Sequence, residues 1–335
     1  MIAMVHPFLF LLSILLQVST LAMKSQIYYD IEALIGTDAG NRGMKNLIVP
    51  GDLEAAASEV VSLKKQSVVV ILSGFPCCVN QSPPTETDGP PGAYALARAV
   101  AALGHHAVIV TDSCNEAVFA AALDNLALPS DCGPVQLVCF PPKFSDDDEK
   151  QFNQLVKSCD LAIACERAGD AKDGHCYTMR GIDMTEKGLI APINRLIGES
   201  KKPFIGIGDG GNELGMGKVI EKIIEHIPKG ETIGCVIPAT YLIAASVSNW
   251  GGYALAAAIA VAKAKDDDIE TWIRRCLPSE EQEVELLDRC VAVGCRDGVS
   301  GLVEATVDGM PLETSLQCLR DIRNAALDQA DTKSS

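Results

Sequence analysis

The sequence predicts an α/β fold: a three-layer sandwich whose middle layer is a largely parallel, Rossmann-like sheet, followed by an irregular C-terminal lobe. Short β-branched runs ending in Gly or Asp alternate with Ala- and Leu-rich helical stretches through the middle of the chain. The runs are apolar throughout rather than alternating with polar residues, as strands covered on both faces are. With 335 residues and 48% hydrophobic composition there is material for one large core, which excludes general disorder. The 28 glycines and 17 prolines are scattered and no heptad persists, which excludes collagen-like and coiled-coil classes.

Residues 1–23 are an apolar leader, set apart from a single domain spanning 24–330. Its apolar run, Pro7 to Leu16, is about ten residues and too short to cross a bilayer. It resembles a signal-peptide core with Thr20-Leu21-Ala22 as a fair cleavage site, yet no Lys or Arg precedes it, so the secretory pathway stays open. SVVVILSGF (67–75) is the first buried strand, and GAYALARAVAALG (92–104) a helix closed by Gly104. Strands are expected at HAVIVTD (106–112), VQLVCF (135–140), LAIACERAG (161–169), PFIGIGDGG (203–211) and TIGCVIPAT (232–240). Helices are expected near 114–127, 146–158, 186–199, 216–227 and 242–264. Beyond them, 266–294 reads as two acidic surface helices and 311–328 as a final one. DDDEK (146–150) and DDDIE (266–270) read as solvated helix starts, where carboxylates meet the positive end of the helix dipole.

Charge narrows the function. With 28 Lys+Arg against 44 Asp+Glu the net charge is −16, which excludes general nucleic-acid binding. The same charge repels small anions, so an acidic substrate needs a locally positive or metal-bearing site. The 13 cysteines are odd in number, lack Cys-x-x-Cys or zinc-type spacing, and several sit in apolar runs. They read as small buried thiols in a reducing compartment.

In a parallel sheet, ligands bind beyond the carboxyl ends of the strands. In PFIGIGDGGNELGMGKV (203–219), Gly206, Gly208 and Gly211 match G-x-G-x-x-G, but Asp209 stands where a pyrophosphate would meet a carboxylate, and no nucleotide is expected. Asp209, Asn212 and Glu213 instead offer three oxygen ligands for Mg²⁺ or Mn²⁺, the competing reading being a helix cap. In PPTETDGPPGAYALARA (83–99), Asp88 stands at a helix mouth, where Gly89 and Gly92 could present N–H groups to a substrate carboxylate; turn chemistry is the alternative. In CERAGDAKDGHCYTMRG (165–181), Glu166 and Arg167 close a strand and Arg180 follows, the arginines as carboxylate forks or as members of structural ion pairs. GTDAGNRG (36–43) adds Arg42, and SNWGGYALA (248–256) adds Asn249 before a glycine pair.

Together DAGNRGM, ETDGPPGAYALARA, VTD, CERAG with YTMRG, GIGDGGNELGMGK and SNWGGYAL resemble, in order, the C-terminal half of the D-glutamate cyclase family over residues 25–328. The resemblance implies a hydro-lyase that closes D-glutamate to 5-oxo-D-proline with loss of water, in mitochondria for animal members. It also implies a hydro-lyase-like partner half, so a non-catalytic domain that binds an acidic metabolite is the alternative. Lactam formation needs a deprotonated α-amine, a γ-carboxylate made electrophilic, and a protonated leaving group. The chemistry assigns acid–base work to Asp88, Glu166 and Asp209. It assigns substrate contacts to Arg42, Gly89, Gly92, Arg167, Arg180 and Asn249, and a divalent cation to Asp209, Asn212 and Glu213.

Overall fold

The computed structural model describes residues 25–124, 128–264 and 268–328, so the leader lies outside the described residues. Helices α1 (residues 25–35) and α2 (Asp52–Ser62) precede β1 (Val68–Gly74) and α3 (Pro90–Ala102). Then come β2 (His106–Asp112), α4 (Glu116–Leu123), β3 (Val135–Phe140), α5 (Asp146–Ser158) and β4 (Cys159–Arg167). The second half carries α6 (Arg195–Ser200), β5 (Phe204–Gly208), α7 (Ile220–His226), α8 (Gly230–Ile233), β6 (Tyr241–Ala244) and α9 (Ser248–Lys263). The chain ends in α10 (Ile269–Cys276), α11 (Glu280–Ala292), the hairpin β7 (Thr306–Val307) and β8 (Met310–Pro311), and α12 (Leu312–Leu327).

The first six strands form one parallel sheet in the order β3-β2-β1-β4-β5-β6. This is the doubly wound order, and the chain reverses direction across the sheet between β1 and β4. The pleat divides each apolar run between two cores. Val69, Ile71, Ile109, Ile163, Ile205 and Ile243 pack under α2, α3 and α9, while Val70, Leu72, Val110, Ala164 and Leu242 pack under the opposite layer with Phe152, Leu196 and Ile223. Both faces are covered, which is why the strand sequences show no polar alternation.

Helices α3 and α9 are buried over nearly their whole length, and their alanines and glycines let the backbones touch. A Cβ on Gly252 would stand 2.7 Å from the Gly92 Cα, so any larger residue there separates the two helices. Solvent-facing α5 starts instead with a capping box, Ser145 Oγ accepting from the Asp148 N–H while Asp148 accepts from the Ser145 N–H.

One strand is displaced from its expected position. TIGCVIPAT (232–240) forms the end of α8 and a loop, and β6 lies just after it at Tyr241–Ala244. The apolar side chains Ile233 and Cys235 fill the lower core without ladder bonds, so burial rather than strand pairing explains their hydrophobicity. The helices expected over 186–199 and 242–264 are correspondingly shorter, α6 beginning at Arg195 and α9 at Ser248. All thirteen cysteines are free thiols.

Candidate active site

The carboxyl ends of β1, β4 and β5 open into a cavity of about 220 Å³ at the switch point of the sheet. Glu86, Glu166, Asp209, Glu213 and Asp308 line it together with Arg42, Arg180, Asn212 and Cys77. Five carboxyl groups and two guanidinium groups are thus crowded into one small cavity.

Each acid is delivered by a local backbone device. At the end of β4 the register against β1 shifts: Ser73 pairs with Cys165 but Gly74 pairs with Arg167, leaving Glu166 as an extra residue at φ 46°. The bulge breaks the alternation of the pleat. Cys165 Sγ and the Glu166 carboxylate therefore both reach Ser248, whose Oγ donates to Glu166 Oε2 at 2.5 Å, while Arg167 turns to the opposite layer. Beyond β5 the loop doubles back on the strand. A Cβ on Gly206 would meet the Gly215 Cα at 2.9 Å, and one on Gly208 would meet the Glu213 side chain at 2.8 Å. The glycines that resemble a dinucleotide fingerprint thus make room for their own acidic loop. Glu213 is held by the N–H groups of Gly210 (2.7 Å) and Gly211 (2.8 Å).

Arg42 joins the loops. Its Nη2 donates to Asp209 Oδ2 at 2.5 Å, Asp308 Oδ2 at 2.7 Å and the Ser246 carbonyl at 3.2 Å. Asp209 and Asp308 hold this guanidinium charged, far above its usual range, despite burial. Burial pushes the Asp209 carboxyl up to about 8, with Glu213 and Asp88 adding to the rise and Arg42 opposing it. Burial likewise raises Glu166, reinforced by Asp209 and Asp88, and raises Glu86, reinforced by Asp308. Asp308 rises for the same reason, with Asp209 adding to the effect. Carboxyl groups so crowded hold protons near neutral pH unless a cation joins them.

Two sets of oxygens could receive one. Glu166, Asp209 and Glu213 each offer an oxygen within 4.8 Å of the others, as do Asp88, Asp209 and Asp308. Asn212 is 1% exposed; its Nδ2 donates to the Tyr177 carbonyl at 2.7 Å, and its buried Oδ1 has no partner among the described residues. An unsatisfied amide oxygen at the wall of an acidic cavity is the donor chemistry a hard divalent ion takes. Asp209 is not a helix cap: the following helix α7 begins at Ile220 and no side chain caps it.

Other expected contacts sit elsewhere. Arg167 is fully buried away from the cavity, paired with Asp112 and bonded to Asn194 Oδ1 and the Ala191 carbonyl, which makes it a structural ion pair. Gly89 and Gly92 do not present free N–H groups, because both donate to Asn249 Oδ1 at 2.9 and 2.8 Å. Pro90 and Pro91 between them have no N–H to offer. Asp88 reciprocates, accepting from the Ser248 and Asn249 N–H groups at 2.8 Å each at the start of α9. Asp88 and Asn249 thus cap each other's helices, and neither lines the cavity. Burial and Asp308 push the Asp88 carboxyl up to about 8, with the two N–H bonds opposing. Arg180 does reach the cavity rim, donating to the Val299 carbonyl at 2.9 Å.

Two acids in the cavity escaped the sequence reading. Asp308 and Gly309 form the two-residue turn of the β7–β8 hairpin, with φ 54° and 74°. Asp-Gly between two short runs is a hairpin signal, although nothing in it shows where the carboxylate points. Glu86 lies two residues before Asp88, in a stretch with no periodicity to orient it.

A family model described as D-glutamate cyclase-like, C-terminal, matches residues 31–323. The chain is 36% identical to a Homo sapiens protein named "D-glutamate cyclase, mitochondrial" across a 336-residue alignment that covers 90% of this chain and 52% of that relative. It therefore spans about half the length of the curated relative it matches.

Proposed function

The chain belongs to the D-glutamate cyclase-like, C-terminal family, and on that premise we propose that it is a mitochondrial hydro-lyase that closes D-glutamate to 5-oxo-D-proline with loss of water. The observation that carries this reading is the buried cavity in which Glu166, Asp209 and Glu213 converge beside Arg42 and the unpartnered Asn212 Oδ1. The α-ammonium of an amino acid is a cation suited to that carboxylate cluster. An ionised carboxylate there accepts a proton from the ammonium and frees the nitrogen to attack the γ-carboxyl carbon. A neighbouring carboxyl that holds its proton near neutral pH, as Asp209 does, donates to the departing oxygen, the base returns the proton it took so that this oxygen leaves as water, and the second proton of the attacking nitrogen restores the donor. Arg180 at the rim has N–H groups beyond its one bond to Val299, and these can grip the α-carboxylate and hold the substrate curled.

Asp209, Glu213, Glu166 and the Asn212 Oδ1 are the residues that would hold Mg²⁺ or Mn²⁺. When bound, such an ion supplies Lewis-acid polarisation of a carboxylate. The test incubates the full chain with D-glutamate and either ion and follows 5-oxoproline by chiral chromatography. Stereospecific product supports the proposal. A folded chain that yields none, alone or mixed with the hydro-lyase-like half of a longer relative, overturns it. Stabilisation by D-glutamate without turnover would favour a binding domain.

A further inference from the structure

The loop leaving β1 carries Cys77 and Cys78 side by side, their Sγ atoms 3.8 Å apart and in hydrogen-bond contact. Cys77 lines the acidic cavity, and its thiol also bonds to Glu86. Cys78 is half-buried at the outer side of the same loop, its backbone held by the Cys78 N–H to Pro84 carbonyl bond and the Gln81 N–H to Cys78 carbonyl bond. Arg296 and Arg180 place positive charge beside it. Among the described residues neither guanidinium makes a salt bridge; each donates to a carbonyl, Gly301 and Val299 respectively, and the buried Arg296 Nε has no acceptor. We propose that Cys77 and Cys78 are a peroxide-reactive thiol pair, with Cys78 as the attacking sulfur and Cys77 as the resolving one, closing to a disulfide between chain neighbours in the wall of the cavity.

The charges around Cys78 favour its thiolate. The Cys77 S–H bond, Arg296 and Arg180 bring it down to about 7, against burial and the opposing charge of Asp297. Cys77 moves the other way, raised by its bond to Cys78, by burial and by Glu86, so it keeps its proton and acts second. Of the other half-buried thiols, Cys114 and Cys139 are pushed up to about 12 by burial, and Cys132 is raised by burial as well. In the first step the Cys78 thiolate attacks one peroxide oxygen, the O–O bond breaks, and the leaving hydroxide takes a proton to become water. Cys78 is then a sulfenic acid. The Cys77 sulfur displaces its hydroxyl group, the Cys77 proton joins that hydroxide as a second water, and the S–S bond forms. Two thiols lose two electrons and one hydroperoxide, supplied from outside, gains them.

A thiol lowered towards neutral pH is more fully thiolate than thiols raised by burial, so Cys78 should alkylate at least about tenfold faster than Cys114 or Cys139. The full chain is treated at pH 7 with substoichiometric iodoacetamide and its peptides are mapped. Label found first on Cys78 supports the proposal, and Cys114, Cys132 or Cys139 labelled as fast overturns it. A second sample receives hydrogen peroxide and dimedone. The wild-type peptide carrying both cysteines should lose two hydrogens, reversibly with dithiothreitol, while Cys77→Ser should trap dimedone on Cys78. Equal trapping in wild type and Cys77→Ser, or none in either, refutes the resolving step.

Discussion

Replacing Asn249 with alanine separates a structural role from a substrate contact. Asn249 Oδ1 accepts from the Gly89 and Gly92 N–H groups, and its Nδ2 donates to the Thr87 carbonyl at 3.1 Å, all in buried surroundings. Truncation leaves the Gly92 donor and the Thr87 acceptor unpaired where little water can reach, while the Gly89 N–H keeps its bond to Asp88 Oδ1 at 3.0 Å. Each orphaned group costs about 1–3 kcal/mol, so Asn249→Ala should destabilise the fold by roughly 2–6 kcal/mol. In a domain of this size that corresponds to a Tm lowered by about 3–9 °C. The assay is a thermal melt of wild type and variant in the same buffer, with KM for D-glutamate measured on the folded fraction. The expected result is a large drop in Tm with KM nearly unchanged. A melt within about 2 °C of wild type, together with a clearly raised KM, would refute the helix-cap assignment and return Asn249 to the substrate.

Asp209→Asn keeps the size of the side chain and removes its charge, so Mn²⁺ affinity by calorimetry should fall at least about tenfold while the melt stays near wild type; unchanged affinity ends the ligand assignment. Arg167→Leu strands the Asp112 carboxylate in a fully buried site, and chemical denaturation should show a loss of about 3–5 kcal/mol. Arg167→Lys should recover only part of it, because it cannot reproduce the bonds to both Asn194 and the Ala191 carbonyl. Glu283, which accepts from the Tyr253 hydroxyl at 2.5 Å, is pushed by burial to about 7 from an ordinary 4.5. A carboxyl raised in the folded state contributes fully below its unfolded value and loses that contribution as pH rises through the folded one. Wild type should therefore lose about 3 kcal/mol between pH 4.5 and 7.5 through this group, and Glu283→Gln should flatten that slope. Parallel melts across that range that keep the full slope in the variant would refute it.

The sheet was legible because each strand had to be apolar on both faces and each helix had to close on a turn residue; β2, β3 and α5 fall where their sequences place them. TIGCVIPAT misled because a loop segment buried for packing looks the same as a strand buried for pairing. The acidic loop at 209–213 was recoverable because strand ends are where a parallel sheet exposes its ligands, whereas Arg42 precedes every strand and stood out only as an arginine in a glycine-rich turn. Asp88, Asn249 and Arg167 have the residue types of a substrate site, yet each is satisfied by a partner 55 or more positions away in the chain. Pairing over such separations leaves no local trace. Asp308 lay hidden for the same reason: an Asp-Gly pair marks a turn, but nothing local shows that the turn folds back onto Arg42.

The extra residue at the end of β4 makes the cavity depend on the length of that strand as well as on its composition. Deleting one residue there would restore a regular pleat, and the strand itself would gain ladder bonds and lose a strained backbone angle. It would leave Cys165 and Arg167 on the faces they occupy now and take the acid out of the cavity and away from Ser248. Glycine at position 166 would relax the positive φ by about 1 kcal/mol and remove the carboxyl group altogether. Thermal stability alone therefore favours glycine or a deletion at this position. A chain of the family that lacked the extra residue or its glutamate would lack the carboxyl group that Ser248 holds at the cavity.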